Sequence, residues 1–222
     1  LAIELTFELF RQSLSRQEME AEKNKAELAL YKAQINPHFL FNTLNTLYAL
    51  TLSKSDRAES AFVKFSNILH YMYAQADREL IPLCEEWEYI RQYVDLQRLR
   101  LNAHTRIELT EEIDDERVLV PPMLFITFVE NAFKYGISSE TDCTIRIGIR
   151  LRDGELVFRT ENRVMRRREE ETPGIGIENC RKRLQLLFRD RFELETAERE
   201  GIYRVRLLIR LHKVCKRSVA SP

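Results

Sequence analysis

The sequence predicts an α+β protein in two parts: a helical N-terminal part built on paired helices, and a C-terminal part in which strands and helices form a two-layer α/β sandwich. Three observations carry this. Apolar or small residues step by four and three from Ile3 to Ile35, and strands alternate with helices only beyond residue 103. The turns Asp153-Gly154 and Glu200-Gly201 each join two strand-like runs. With 222 residues the chain has material for one or two domains with real cores.

The first element is a helix over residues 1–33. Its seam, Ile3, Phe7, Phe10, Leu14, Gln17, Ala21, Asn24, Leu28, Tyr31 and Ile35, holds a 3.5-residue period, as in a signalling coiled coil. Gln17, Ala21 and Asn24 make its middle weak. A single solvated helix is the other reading of the charged run "RQEMEAEKNKAE". Pro37 then removes a hydrogen bond to the carbonyl of Ala33 and bends the axis. Beyond the bend Leu40, Leu44, Leu47 and Thr51 share one face, and His38, Asn42, Asn45 and Ala49 turn outward on the other. A second helix follows, with Asp56 as N-cap and Phe62, Phe65, Leu69 and Met72 on one stripe. The two form an antiparallel hairpin whose apolar stripe needs a partner hairpin, so a dimeric four-helix bundle is expected. A third helix, "LCEEWEYIRQYVDLQRLRL", closes this part at residue 102.

Residues 103–215 make the second domain. Strands "RIELT" and "RVLV", a helix "PMLFITFVENAFKYG", strands "CTIRIGIRL" and "ELVFRTEN", a helix "IENCRKRLQLLF" and strands "FELETA" and "IYRVRLLIRL" succeed one another. Their alternation suits a sheet with one face packed on helices. Residues 216–222 read as a disordered tail.

Charge excludes one class of partner. The 35 basic and 35 acidic side chains cancel, whereas phosphate-backbone binding usually needs an excess of Lys and Arg, so no nucleic acid is expected. Cys84, Cys143, Cys180 and Cys215 lie far apart with no CxxC pair, which reads as reduced thiols rather than a zinc site or disulfide framework. No run of about 20 apolar residues could span a membrane. The chain begins with Leu, and the reading is a cytoplasmic portion of a membrane protein whose sensor region lies upstream.

Four motifs carry chemistry. An outward imidazole at His38, with Asn42 one turn on, is a nucleophile within reach of another domain, although most lone surface histidines do nothing. In "FVENAFKYG", Asn131 and Lys134 stack on nearly one face beside Glu130. An amide oxygen there can join the shell of a hard cation such as Mg2+, and an ammonium can meet a phosphate. "PGIGIENC" places Gly174 and Gly176 before a helix, where free amides can cradle a phosphate; the charged loop from Arg163 to Pro173 ahead of it has the length of a lid. Along "ELVFRTEN", Asn162 falls in line with Leu156, Phe158 and Thr160 toward the helical layer, and Glu161 points the other way unless a bulge intervenes. A polar group there needs a partner, and an adenine ring is one candidate.

"QINPHFLFNTLN" resembles the phosphoacceptor box of the LytS/YehU-type sensor histidine kinases, "VPPMLFITFVENAFKYG" their N box, and "GIGIENCRKRLQLLF" their glycine box, in the expected order across residues 34–188. The resemblance implies a dimerisation and histidine-phosphotransfer domain over 34–102, and an ATP-binding domain of the GHKL (Bergerat) fold over 103–215. It implies that His38 takes the γ-phosphoryl group of ATP, that Asn131 coordinates Mg2+, and that Glu130, Lys134 and Tyr135 line the site. Gly174 and Gly176 would let the lid fold over the phosphates, with Asn179 close by. A homodimer and the receiver domain of a response regulator are the implied partners. The chain departs from the family at Tyr135, where many relatives carry histidine, and in "TENRV", where an Asp-x-Gly adenine box is usual. These departures leave a rival reading, a dimeric ATP-binding interaction module that transfers nothing, and leave the adenine contact open between Asn162 and Glu161.

Overall fold

The structure, a computed structural model, describes residues 37–75, 78–115, 117–165 and 175–211. The expected coiled coil, the bend upstream of Pro37, most of the charged loop with Gly174, and the tail with His212 and Cys215 lie outside the described residues. The chain divides into two compact units, Leu1–Phe62 and Val63–Pro222.

In the first unit lies helix α1 (Pro37–Leu52). It buries Phe39, Thr43 and Leu47, and the Thr43 hydroxyl donates to the Phe39 carbonyl at 2.8 Å, so burial leaves it satisfied. Of the stripe expected to meet a partner hairpin, Leu47 is buried, Leu40 half-buried, and Leu44 and Thr51 exposed. A second apolar row, Phe41, Leu44, Tyr48 and Leu52, lies on the surface. A pattern that counts apolar residues cannot say which stripe turns inward. After the turn at Lys54 (φ 50°), the Arg57 amide donates to Ser55 Oγ at 3.3 Å, so Ser55 rather than Asp56 acts as the cap.

Helix α2 (Arg57–Ala74) begins in the first unit and ends in the second. Its buried positions are Ala61, Phe65 and Ile68; of the expected stripe Phe62, Phe65, Leu69 and Met72, Phe62 and Leu69 are exposed. Two-residue strands β1 (Ile81–Pro82) and β3 (Leu119–Val120) pair antiparallel on either side of helix α3 (Leu83–Arg98) and strand β2 (Thr105–Ile113). Pro82 is tolerated in so short an edge pair. The α3 helix, grouped in the sequence with the dimerisation helices, lies in the second unit. Its Trp87 indole donates to Glu111 of β2 at 2.7 Å, and Lys64 of α2 meets its Asp95 at 2.5 Å.

Helix α4 (Ile126–Gly136) leads into β4 (Cys143–Arg152) and β5 (Glu155–Arg163), and helix α5 (Ile175–Phe188) into β6 (Phe192–Arg199) and β7 (Ile202–Arg210). The main sheet runs β2-β4-β5-β7-β6, with β2 parallel to β4 and every other pair antiparallel. Positive φ at Asp153, Gly154, Glu200 and Gly201 closes the two hairpins where the sequence places them. One sheet face is apolar: Ile145, Ile147, Ile149 and Leu151 of β4 alternate inward beside Leu156, Phe158, Thr160 and Asn162 of β5. Helix α4 lies across β4 and β5, with Phe125 stacked on Phe158 at 4.6 Å between centroids. The opposite face is a charge ladder in which Arg146 bridges Glu108 (2.8 Å) and Glu161 (2.5 Å), and Arg204 meets Glu161 at 2.6 Å. The result is an α+β protein with one helix-covered sheet.

Candidate functional site

Two groups of residues carry candidate chemistry, one in each unit. In the first, His38 is exposed on α1, and the Asn42 side-chain amide nitrogen lies 3.0 Å from both ring nitrogens. The i,i+4 spacing alone brings them together. The amide can donate only to the ring nitrogen that holds a lone pair, so Asn42 fixes the ring's orientation, and this bond must open before the same lone pair attacks.

In the second unit, Glu130, Asn131, Lys134 and Tyr135 occupy the last turns of α4; Lys134 is exposed and the other three half-buried. The Lys134 ammonium lies 5.4 Å from the centroid of the Tyr135 ring, a cation–π distance. Burial, and then the Glu130 charge, push the Tyr89 and Tyr93 hydroxyls well above the ordinary phenol range.

Asn162 lies below the end of this helix, fully buried, donating to the Arg163 carbonyl at 3.0 Å. The approach depends on Gly136, where a Cβ would come within 2.8 Å of Asn162 Cβ. Glu161 points to the opposite sheet face, where burial would raise its carboxyl but Arg204 and Arg146 hold it below the usual carboxylate range. Strict alternation therefore holds with no bulge, and Asn162 alone of the two stands on the helical side. The Met165 amide donates to the Tyr135 carbonyl at 2.8 Å, fastening the start of the charged loop to the end of α4.

Gly176 falls inside the first turn of α5 rather than before it, since the helix begins at Ile175. A Cβ on Gly176 would meet Thr127 Cγ2 at 3.3 Å, so the starts of α5 and α4 lie close together. Asn179 is exposed one turn on.

Sequence reasoning missed two residues here. Gly136 closes the motif "FVENAFKYG" with nothing in the sequence to mark it, and only the fold brings Asn162 beneath it. Glu86 is wholly buried, and its carboxylate accepts the amides of Met123, Leu124 and Phe125 at the head of α4 at 2.8, 2.8 and 3.1 Å. A signal existed, for Glu86 interrupts the apolar stripe Leu83, Trp87, Ile90 and Val94 on α3. His104 pairs with Asp142 at 2.7 Å on an exposed loop, and His70 is exposed. Among the described residues Cys143 and Cys180 are buried and Cys84 is exposed. No described helix is long and apolar enough to cross a membrane.

Residues 26–105 match the histidine kinase family model. The chain is 31% identical over 178 residues to the sensor histidine kinase YesM of Bacillus subtilis, covering 77% of this chain and 30% of that protein. It is 31% identical over 190 residues to the sensor histidine kinase YpdA of Escherichia coli, covering 79% and 33%. Against the sensor protein LytS of Bacillus subtilis it is 30% identical over 134 residues, covering 60% and 22%. The chain thus spans a third or less of the length of these curated relatives. With three motifs in the family's order on one chain, the protein belongs with the LytS-type sensor histidine kinases.

Proposed function

We propose that this chain is the catalytic part of a two-component sensor histidine kinase, in which His38 receives the γ-phosphoryl group of ATP and passes it to an aspartate of a response-regulator receiver domain. The observation that carries the reading is the exposed His38 imidazole held by Asn42, in a chain that also sets Asn131, Lys134 and buried Asn162 around the end of one helix. A ring nitrogen of His38 attacks the γ-phosphorus, the N–P bond forms as the bond to the bridging β–γ oxygen breaks, and ADP leaves; the second ring nitrogen releases its proton to solvent. The receiver aspartate then displaces the imidazole by forming an O–P bond. Little covalent chemistry is asked of the protein beyond placement and charge neutralisation.

The donor set fits ATP with Mg2+. Asn131 offers a hard amide oxygen, and no cluster of three or more His, Cys, Asp or Glu among the described residues could hold a metal alone. A Mg2+ at Asn131 would draw the rest of its shell from phosphates and water, as this ion commonly does, and would supply charge neutralisation of the phosphates. Lys134 and Tyr135 would meet phosphate or ribose, with Glu130 beside them. Asn162 would meet the adenine, and Gly174, Gly176 and Asn179 would stand at the phosphate end. The surface stripe of α1, with Phe41, Tyr48 and Leu52 each about two-thirds exposed, is the proposed dimer face, completed as a four-helix bundle by a second copy. Asn42 would help orient a water when the partner is dephosphorylated.

Incubation with γ-labelled ATP tests the reading. Acid-labile, base-stable label that disappears in His38→Gln is the expected result. Nucleotide binding with no label on the unaltered chain would instead make it an ATP-binding interaction module.

A further inference from the structure

Glu86 is the only buried carboxylate among the described residues, and four donors converge on it. Oε1 accepts the amides of Leu124 and Phe125, and Oε2 accepts the Met123 amide and the Tyr71 hydroxyl. Met123 adopts a positive φ of 54°, a strained conformation for a side-chain-bearing residue, and this turns three consecutive amides toward one point. Phe125, at the N-cap of α4, has no side-chain cap of its own. At the positive end of the N-box helix the Phe125 N–H, together with the two amides before it, is thus closed by an anion from another helix. Burial pushes the Glu86 carboxyl upward, yet four donors on two oxygens leave no acceptor for a carboxyl proton, so the cradle suits the ionised form.

Tyr71 brings α2 into this cluster. Its ring stacks on Tyr89 of α3 at 4.3 Å between centroids, and Tyr93, one turn on, meets Phe133 of α4 edge-on at 5.9 Å. One cluster therefore touches the head of α4 through Glu86, and α3 reaches the helix's C-terminal half through Tyr93. The helix that supplies Tyr71 follows the phosphoacceptor helix in the chain.

We infer that Glu86 is the positioning residue of the N-box helix, and that the Tyr71 hydroxyl makes its grip depend on the placement of α2. While Tyr71 donates to Oε2, the carboxylate is fixed, the three amides are held, and Asn131 and Lys134 keep their place. When α2 turns or slides, the hydroxyl leaves Oε2, the head of α4 loosens, and the nucleotide end of the helix moves with it. The link from N box to nucleotide rests on the kinase reading; the link from Tyr71 to the 123–125 amides does not.

The test uses the whole chain with Tyr71→Phe, Glu86→Gln, Glu86→Asp and the Tyr71→Phe/Glu86→Gln double variant. Hydrogen exchange at the amides of 123–125 should speed about tenfold in Tyr71→Phe and more in Glu86→Gln, and Glu86→Asp should recover part of the protection. Dissociation constants for a Mg2+-loaded non-hydrolysable ATP analogue should rise several-fold in both single variants. The double variant should be no worse than Glu86→Gln, because both changes act through one carboxylate. If Glu86→Gln does not fold, Tyr71→Phe, which removes one hydroxyl and no packing volume, carries the test alone. Unchanged exchange at 123–125 in Tyr71→Phe, or strictly additive effects in the double variant, overturns the inference. A chain that binds no nucleotide at all overturns the kinase reading instead, and the exchange arm still judges the Tyr71–Glu86 link.

Discussion

The two units hold their candidate chemistry in opposite ways. On α1 the pair His38–Asn42 is made by helical periodicity alone: four residues apart, exposed, bonded at 3.0 Å, and dependent on nothing distant. Around α4 the contacts that fix the site are long in sequence: Gly136 against Asn162, Met165 on Tyr135, Glu86 on residues 123–125. The first arrangement survives in any stable helix and costs little to lose. The second exists only in the finished fold, so damage to it shows as lost stability as well as lost binding.

Substitutions can break or sharpen this contrast. Gly136→Ala should be the most damaging, because the new Cβ would sit 2.8 Å from Asn162 Cβ and neither backbone can yield freely. Overpacking of this kind costs about 1–3 kcal/mol, to be read from urea unfolding together with weaker nucleotide binding. Asn162→Ala should follow, at about 1–2 kcal/mol, since it removes the bond to the Arg163 carbonyl and opens a gap under α4. If it leaves nucleotide affinity unchanged, the adenine assignment is wrong.

Glu161→Gln should cost less than about 1 kcal/mol, because its pairs with Arg146 and Arg204 are reached by solvent. Its carboxyl is held below the ordinary range, so the stability it contributes is present above the unfolded-state value and disappears as pH falls through the folded one. The gap in melting temperature between the two proteins should therefore close on acidification; a gap that widens would contradict the pairing. Asn42→Ala, at the small end, should change stability by no more than about 0.5 kcal/mol, as for most surface changes. It should alter how fast phosphorylated partner is turned over, and intact turnover would discard its proposed role.

Legibility divides along the same line. The outward turn of His38, the two hairpin turns, and the inward row Leu156, Phe158, Thr160 and Asn162 follow from periods of 3.6 and 2, which a sequence displays directly. On α1 the expected stripe Leu40, Leu44, Leu47 and Thr51 stands beside a second apolar row, Phe41, Leu44, Tyr48 and Leu52, so a count of apolar residues does not choose which face a single copy turns inward. The start of α4 was placed early because residues 122–125 look helical. In the fold they bend around a carboxylate supplied 37 residues earlier in the chain, judging by the Met123 contact. No local pattern announces that partner, although an acidic residue on the apolar stripe of α3 marked its place. Gly176 resembles a turn glycine in the sequence but lies in a helix, where its small size serves close packing on Thr127.

Mapping the phosphoryl group after incubation with Mg2+ and γ-labelled ATP tests the central claim most directly, on the unaltered chain and on Asn131→Ala. The account predicts label on the peptide that contains His38 in the first, and at least a hundredfold less in the second, in line with the loss of one transition-state-stabilising group. Label on His70 or His104, or undiminished label in Asn131→Ala, would contradict it.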